Sequence, residues 1–308
     1  MDSSNGSVHP DFLLLGLSSR PGQEHLLFSL FLCMYLLNLL VNLQILLLTR
    51  SDPRRHGSPM YFFLSHFSLV DVCFTSTTMP KLLANLRARP QGILYTGCLV
   101  QMCLFVAFAT PENFLLAVMA WDRSLALCRP LRYAVLLSPL RRRALVGTAW
   151  LPAHLHSLLM PRLSARISSA TSSPRWPWPA PRSSSTSHSA SWSGGVLLIR
   201  PFLLIVLSYA RILRAVLRVP GRRGKACGAH LAVVGLFYGT AIGVYFPPLS
   251  SYSGDGDKLA SVTYTVVTPT LNPFIYCLRN QDIKAALRQG LDRLRGAWWG
   301  WGRGSGEV

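Results

Sequence analysis

Long apolar stretches alternate with short polar connections along the chain. The first, LLFSLFLCMYLLNLLVNLQILLLT at 26–49, is long enough as a helix to cross roughly 30 Å of hydrocarbon. Loop-forming residues divide the rest of the chain into six further stretches of this kind. The pattern predicts an all-α fold, a bundle of seven transmembrane helices, with spans near 25–49, 60–83, 98–121, 143–160, 195–217, 229–249 and 260–278.

The composition agrees with a chain whose main solvent is lipid. Half of the 308 residues are apolar and only 14% are charged. The net charge of +19 raises the alternative of a nucleic-acid-binding protein, but the 31 basic residues lie in short loops and form no stripe with exposed aromatic residues. We therefore expect membrane lipid as a partner, and no nucleic acid.

Lys and Arg are divided unequally between the two sets of loops. The first, third and fifth connections and the tail hold 20 of them, whereas the opposite side holds 9. Positively charged loops stay in the cytoplasm, so we expect an extracellular amino terminus at 1–24, a membrane domain at 25–290 and a cytoplasmic tail at 291–308. The acceptor sequon at Asn5 then lies outside, where it can be glycosylated.

A few charged side chains interrupt the spans, where each costs around 2.5 to 3.5 kcal/mol on insertion scales. Asp71 and Glu112 predict a small hydrated pocket for a cation, because two carboxylates in one low-dielectric space cannot both stay charged unaided. Asp122 and Arg123 predict an ion pair that opens and closes at the cytoplasmic end of the third span. The alternatives are ordinary hydrogen-bonding contacts between helices and, for Arg123, a basic residue that merely flanks the span.

Residues 165–193 break the alternation. They read ARISSATSSPRWPWPAPRSSSTSHSASWS, with eleven Ser, four Pro and no acidic residue. This composition predicts an unstructured second extracellular loop. The seven cysteines of the chain lie elsewhere and form neither a CxxC pair nor a Cys/His cluster, so no metal site of that kind is expected.

Five stretches resemble the motifs of vertebrate odorant receptors, which are rhodopsin-like G protein-coupled receptors. They are PMYFFLSHFSLVDVCFTSTTMPKLL at 59–83, MAWDRSLALCRPLRY at 119–133, SYARIL at 208–213, KACGAH at 225–230 and PTLNPFIYCLRN at 269–280. The resemblance implies a multi-pass receptor of the plasma membrane. Such a receptor binds small volatile odorants and activates a stimulatory olfactory heterotrimeric G protein, which raises cAMP.

The resemblance also implies roles for individual residues. The family's cytoplasmic switch matches Asp122, Arg123, Asn272, Pro273 and Tyr276. A sodium-like site matches Asp71 and Glu112, so Na+ is the one cofactor to consider. Pro273 removes one backbone hydrogen bond and so permits a kink where the helix must rearrange.

Residues one helical turn apart on the inner faces of three spans are the natural walls of a ligand cavity. They predict a mainly apolar pocket with a few hydroxyl groups, suited to a small neutral molecule. The alternative is that several of them simply pack between helices. The predicted wall is Phe105, Ala109, Thr110, Tyr238, Ala241, Tyr245, Val262 and Thr265.

The chain departs from the family at a disulfide. The resemblance implies that Cys98 pairs with a cysteine of the second extracellular loop, but no cysteine occurs between Cys128 and Cys227. Such a bond ordinarily contributes roughly 2 to 4 kcal/mol. One alternative to an active receptor is therefore a poorly folding product of a damaged gene, retained in the endoplasmic reticulum. On that hypothesis, translating the coding DNA for 165–193 in another reading frame should give a family-like sequence that contains cysteines.

Two further classes are disfavoured. A transporter or channel predicts inverted repeats or charged, unwound helices at mid-depth, and neither pattern is apparent. An enzyme needs a clustered nucleophile and base or a set of metal ligands, but His154 and His156 are two residues apart and point to different faces of a helix. We therefore do not expect an enzyme.

Overall fold

Helices account for nearly all of the structure, a computed structural model that describes residues 12–13, 23–51, 57–87, 92–93, 95–170, 185–218, 233–240 and 262–279. The first three helices are α1 (Gln23–Ser51), α2 (Pro59–Arg87) and α3 (Tyr95–Cys128). A 3-10 turn (Pro130–Arg132) and a helical turn (Tyr133–Leu136) lead to α4 (Pro139–Ala170) and α5 (Ser185–Arg218). Residues 233–240 form α6. A π-helical turn (Thr263–Val267) precedes α7 (Thr268–Arg279).

Each predicted span overlaps a described helix, and several helices are longer than predicted. Of the sixth span, predicted over 229–249, only 233–240 lies within the described residues. The third was expected to end at 121 and continues to Cys128, and the fourth was expected over 143–160 and occupies Pro139–Ala170. An apolar stretch of sequence indicates only the part of a helix that lies in hydrocarbon. Polar residues at either end extend the helix because each added residue contributes a backbone hydrogen bond.

The prediction of an unstructured segment at 165–193 is wrong at both ends. Residues 165–170 continue α4, and residues 185–193 form the first turns of α5. Ser and Ala cost little at the end of an existing helix, and the first proline of the segment is Pro174. The middle part, 171–184, lies outside the described residues.

α3 lies at the centre of the bundle, where it contacts α2, α4 and α5, while α1 packs along α2 and touches α7. The core is rich in phenylalanine from α2, where Phe63, Phe67 and Phe74 are fully buried. Leu115 and Leu116 of α3 pack in the same cluster. Because α3 contacts several other helices, a change at one end of the bundle can be transmitted through it to the other end.

The polarity of the bundle is inverted relative to a soluble protein. Large leucines on α1, α4 and α5 are exposed, among them Leu47, Leu151 and Leu207, whereas Asn38, Asp71, Glu112 and Asn272 are completely or almost completely buried. Apolar surface of this extent is rare on a soluble monomer. By length and apolarity alone, α1 and residues 96–128 of α3 qualify as membrane-crossing helices.

One small feature departs from the all-α prediction. Phe12 and Leu13 pair antiparallel with Ile93 and Gly92 in a two-stranded sheet of two residues each. The pairing joins the amino-terminal segment to the connection between α2 and α3, two residues before α3 begins at Tyr95. A pairing of only two residues links these two segments locally and does not change the fold class.

Candidate functional site

A buried polar cluster joins α2, α3 and α7 in the middle of the bundle. The Asn272 amide nitrogen donates to Asp71 Oδ1 at 3.4 Å and to Glu112 Oε1 at 3.2 Å. All three side chains are at most 1% exposed. Among the described residues, the second oxygen of Asp71 and the amide oxygen of Asn272 have no hydrogen-bond partner. Within this part of the chain the cluster thus places two carboxyl groups around one donor and leaves two oxygen atoms unpaired.

The polar cluster extends to α1 through two buried side chains. Asn38 donates from its amide nitrogen to the Pro269 carbonyl oxygen at 2.8 Å, and its amide oxygen accepts from the Thr75 hydroxyl at 3.1 Å. The Asn42 amide nitrogen donates to the Asn38 carbonyl oxygen at 3.1 Å. Pro269 precedes Asn272 by less than one helical turn, so α1 holds the part of α7 that carries the bridging amide.

An aromatic cluster lies beside the polar cluster and spans five helical segments. Tyr264, on the turn before α7, has its ring centroid 6.1 Å from Phe74, 6.2 Å from Phe105 and 5.7 Å from Phe237. Edge and tilted contacts of this kind stabilise beyond the burial of area. The aromatic cluster comprises Phe74, Phe105, Phe202, Phe237, Tyr238 and Tyr264.

The predicted cavity wall is distributed unevenly around the aromatic cluster. Phe105 and Tyr238 belong to it, and Ala109 packs against the same core. Thr110, which follows Ala109, and Thr265, which follows Tyr264, are half-buried. Val262 packs instead against the apolar cluster of α1 and α2 around Phe31, which corresponds to the alternative of packing between helices. Ala241 and Tyr245 lie outside the described residues.

Tyr238 makes a polar contact that the sequence did not suggest. Its hydroxyl donates to the amide oxygen of Asn113 in a buried hydrogen bond. Asn113 directly follows Glu112 on α3, so one residue pair connects the aromatic cluster with the polar cluster. The two clusters therefore meet at adjacent residues of α3.

At the opposite end of α3, the predicted ion pair is formed. Arg123 Nη2 lies 3.0 Å from Asp122 Oδ2, with 25% of the Arg123 side chain and 2% of the Asp122 side chain exposed. The Tyr133 hydroxyl donates to Asp122 Oδ1 at 2.7 Å. Burial, and after it the Asp122 charge, raise the pKa of Tyr133 far above its usual value, so this hydroxyl keeps its proton and remains a donor.

The other predicted site residues have varied positions. Asn272 and Pro273 lie in α7 and are buried, and Tyr276 lies in the same helix with its side chain outside the described residues. Cys98 is buried near the start of α3 and carries a free thiol. Asn5 lies outside the described residues.

Several contributors to these clusters and to the ion pair were missed from the sequence: Asn38, Thr75, Asn113 and Tyr133 among the polar contacts, and Phe74, Phe202, Phe237 and Tyr264 in the aromatic cluster. Asn38 and Asn113 are polar residues inside apolar spans, and that signal could have identified them. Tyr133 and Tyr264 give no such signal, because aromatic residues are common in membrane helices for packing alone. Only the folded arrangement shows that their partners lie on other helices.

Comparison with known proteins shows the family of the chain. The family model "7 transmembrane receptor (rhodopsin family)" matches residues 37–276. The chain is 47% identical to Olfactory receptor 1f45 of Rattus norvegicus, over 94% of this chain and 97% of that protein. It is 45% identical to Olfactory receptor 1F1 of Homo sapiens, over 96% and 99% respectively. Olfactory receptor 1E1 of Pan troglodytes is 43% identical over 93% and 96%.

The helical fold, together with the family match over residues 37–276, shows a multi-pass membrane receptor of the rhodopsin class. Within that class, the chain belongs to the olfactory receptors. Proteins of this family are receptors for odorants rather than enzymes, which agrees with the expectation drawn from the sequence.

Proposed function

We propose that this receptor binds a small volatile odorant from outside the cell and activates a stimulatory heterotrimeric G protein, which raises cAMP. The observation that carries the proposal is the arrangement along α3. Phe105 lies in the aromatic cluster, Glu112 in the polar cluster and Asp122 in the cytoplasmic ion pair. At 1.5 Å per residue, these positions are roughly 10 and 15 Å apart along one helix.

The proposed orientation places the amino terminus outside and the tail in the cytoplasm. The connection between α3 and α4 supports it, because Arg129, Arg132, Arg141, Arg142 and Arg143 occur there without any acidic residue. The aromatic cluster then lies toward the outside and the Asp122–Arg123 pair at the cytoplasmic surface. We propose that the receptor has this orientation in the plasma membrane, with the odorant cavity facing outward.

The odorant cavity is proposed between α3, α6 and the turn before α7, with Phe105, Ala109, Thr110, Tyr238 and Thr265 on its wall. Aromatic and methyl surface favours an apolar ligand through burial, and the hydroxyl groups orient a single carbonyl or hydroxyl of the ligand. We propose that Ala241 and Tyr245 complete this wall, whereas Val262 packs toward α1 and α2 and does not belong to it. A charged ligand has no opposite charge to meet among these side chains, so we propose neutral odorants.

For signalling, we propose that Arg123 leaves Asp122 and contacts the G protein when α6 moves outward. Asp122 holds Arg123 in the resting state, and Tyr133 strengthens that state because its hydroxyl occupies the other carboxylate oxygen. Asn272, Pro273 and Tyr276 accompany the change on α7. Pro273 lacks the backbone N–H that would otherwise hold the preceding turn, so the helix can bend there.

We also propose that Na+ binds at Asp71, Glu112 and Asn272. The fit rests on their chemistry: the Asp71 Oδ2 and Asn272 Oδ1 atoms are buried without a donor from any residue that the structure describes, and two carboxyl groups share a single amide. A hard cation prefers such oxygen ligands. The bound ion would neutralise the cluster and hold α2, α3 and α7 in their resting arrangement.

Thermal unfolding tests the ion proposal. At about ten times its dissociation constant, a ligand of the native state stabilises by about 1.4 kcal/mol, so NaCl should raise the midpoint by about 2 °C or more relative to choline chloride. Asp71→Asn keeps the shape of the side chain and should abolish the difference. Equal midpoints in the two salts for the unmodified receptor would contradict Na+ binding.

A cAMP assay in cells that carry olfactory chaperones tests the proposed function. At least one odorant of a chemically diverse neutral panel should raise cAMP in cells with the receptor. Arg123→Ala should abolish that response without reducing surface labelling, because Arg123 is partly exposed at the proposed G protein surface. A receptor that reaches the surface and responds to no odorant, or an Arg123→Ala variant with an unchanged response, would count against the proposal.

A further inference from the structure

The connection between α3 and α4 exposes arginines and large apolar side chains together. Leu131 is 97% exposed, Leu140 77% and Val135 70%. We call this the Arg/Leu surface, and it comprises Leu131, Arg132, Val135, Leu140, Arg141 and Arg143, all of them exposed. These three apolar side chains lie together outside the predicted spans at 98–121 and 143–160, so the hydrocarbon of the membrane does not account for their exposure.

The Arg/Leu surface is held in place rather than loosely attached. Arg141 Nη1 donates to the Val135 carbonyl oxygen at 3.4 Å, which joins the start of α4 to the preceding turn. Leu137 between them is only 2% exposed and anchors the turn in the core. The Tyr133 hydroxyl fixes the same turn to Asp122. The exposed side chains therefore belong to an ordered surface.

Arg142 explains why its neighbours point outward. It is 9% exposed, donates to the Gly57 carbonyl oxygen at 2.9 Å and lies over the Phe62 ring at 5.6 Å. Because Arg142 faces α2 and the first connection, Arg141 and Arg143 on either side of it in the helix must face away from that contact. One buried arginine thus sets the direction of two exposed ones.

The charge of this surface is not balanced within its own part of the chain. The sequence from 123 to 160 contains no acidic residue, and Asp122, which precedes it, already binds Arg123 and Tyr133. An external anion is therefore the natural partner. Arginines next to exposed leucines favour an anionic surface that also has an apolar layer beneath it, because the guanidinium groups reach the phosphates while the aliphatic groups are buried.

The position of the surface also suits a membrane. α3 has 34 residues and so is about 50 Å long, which exceeds the roughly 30 Å of hydrocarbon and reaches the headgroup layer. The Arg/Leu surface begins three residues after the end of α3 and includes the first turn of α4. It therefore lies at the level of the headgroups.

We propose that the Arg/Leu surface binds the anionic lipid headgroups of the inner leaflet, with Leu131, Val135 and Leu140 inserted below the phosphates. The choice of leaflet rests on the proposed orientation of the receptor. Each arginine near an anionic leaflet increases binding about fivefold. Anionic lipid would thereby fix the turn that carries Tyr133, and with it the resting Asp122–Arg123 pair.

Hydrogen–deuterium exchange of the full-length receptor in lipid nanodiscs tests the proposal. Amides of residues 129–143 should exchange at least about fivefold more slowly when about a third of the lipid is phosphatidylserine than in phosphatidylcholine alone. High salt should remove much of that difference, because it screens the exposed charges. Both leaflets of a nanodisc have the same composition, so the result does not depend on the orientation of the receptor and can fail independently of it.

Matched variants separate lipid binding from a general effect. Replacing Arg132, Arg141 and Arg143 together by Gln should abolish the effect of phosphatidylserine while amides of α3 stay equally protected. Arg87→Gln, an exposed arginine at the other end of the bundle, should preserve the effect. Equal exchange in both lipids, or protection of 129–143 that requires an added G protein, would overturn the proposal. The second outcome would make the surface a protein docking site.

Discussion

Replacing residues 165–193 with a family-type loop that contains cysteines should increase the amount of receptor at the cell surface several-fold. The Cys98 thiol is free and buried near the start of α3, and the natural segment supplies no partner for it. A disulfide here would contribute roughly 2 to 4 kcal/mol. That corresponds to about a 30- to 1,000-fold change in the folding equilibrium, enough to alter abundance in a cell. Labelling an amino-terminal tag on intact cells measures the effect.

The matched control for this experiment is the same replacement loop with its cysteines changed to Ser. If the disulfide is the cause, the Ser loop should give no gain, and neither should the cysteine loop combined with Cys98→Ser. Equal surface labelling of the natural chain and the cysteine loop would contradict the expectation. The natural segment would then fold without the bond, helped by the helical ends at 165–170 and 185–193 and by the pairing of Phe12 with Ile93.

Asn272→Leu should lower the thermal stability of the receptor more than other single changes near α7. The amide donates to both Asp71 and Glu112, which are fully buried. A hydrogen bond to a charged group contributes about 1.5 to 3 kcal/mol to stability. Removing the donor costs more than this, because the buried carboxyl group that remains has neither water nor protein to bind. We expect a loss of about 3 kcal/mol or more, which lowers the unfolding midpoint by at least about 6 °C.

A second substitution shows whether the unpaired carboxyl groups cause that loss. Adding Glu112→Gln to Asn272→Leu removes one of the two carboxyl groups and should recover part of the lost midpoint. Leu has as many heavy side-chain atoms as Asn and is somewhat larger, so Asn272→Leu opens no cavity that would account for the loss. A midpoint within about 1 °C of the unmodified receptor would show that Asn272 does not bridge the cluster.

Sequence and structure agree best where a signal is local. The apolar spans depend on residues that follow one another, and the Asp122–Arg123 pair consists of adjacent residues at a helix end. Both could be predicted without a fold. Asp71 and Glu112 are 41 positions apart, so their shared pocket was one of two interpretations of the residues, and the resemblance to the family favoured it. Their common donor, Asn272, was predicted as part of the switch and not as the bridge between them.

The remaining contacts required the tertiary arrangement. The bond from Asn38 to the Pro269 carbonyl crosses 231 residues of chain, and the bond from Tyr238 to Asn113 crosses 125. Which residue faces which helix depends on how helices are rotated and packed, and the apolar pattern does not encode this when lipid covers one side and protein the other. The same limit explains why Val262 was placed on the cavity wall although it packs toward α1.

Helix ends were also predicted poorly, for a reason specific to membrane helices. Hydropathy falls at the edge of the hydrocarbon, whereas backbone hydrogen bonding continues into the headgroup layer. In the proposed orientation, the last residues of α3, including Asp122 and Arg123, and the first residues of α4 follow or precede the predicted spans and fall in this zone. The proposed G protein switch and the Arg/Leu surface therefore both occur where the sequence pattern is least informative about structure.

The measurement that tests the central claim most directly is the accessibility of two tags, one at each end of the chain, in cells before and after permeabilisation. An outward-facing receptor of seven spans predicts labelling of the amino-terminal tag on intact cells and of the carboxyl-terminal tag only after permeabilisation. Labelling of both tags on intact cells, or of the carboxyl-terminal tag alone, would contradict it. Either result would remove the basis for an odorant cavity that opens outside and for arginines that meet the G protein and the inner leaflet.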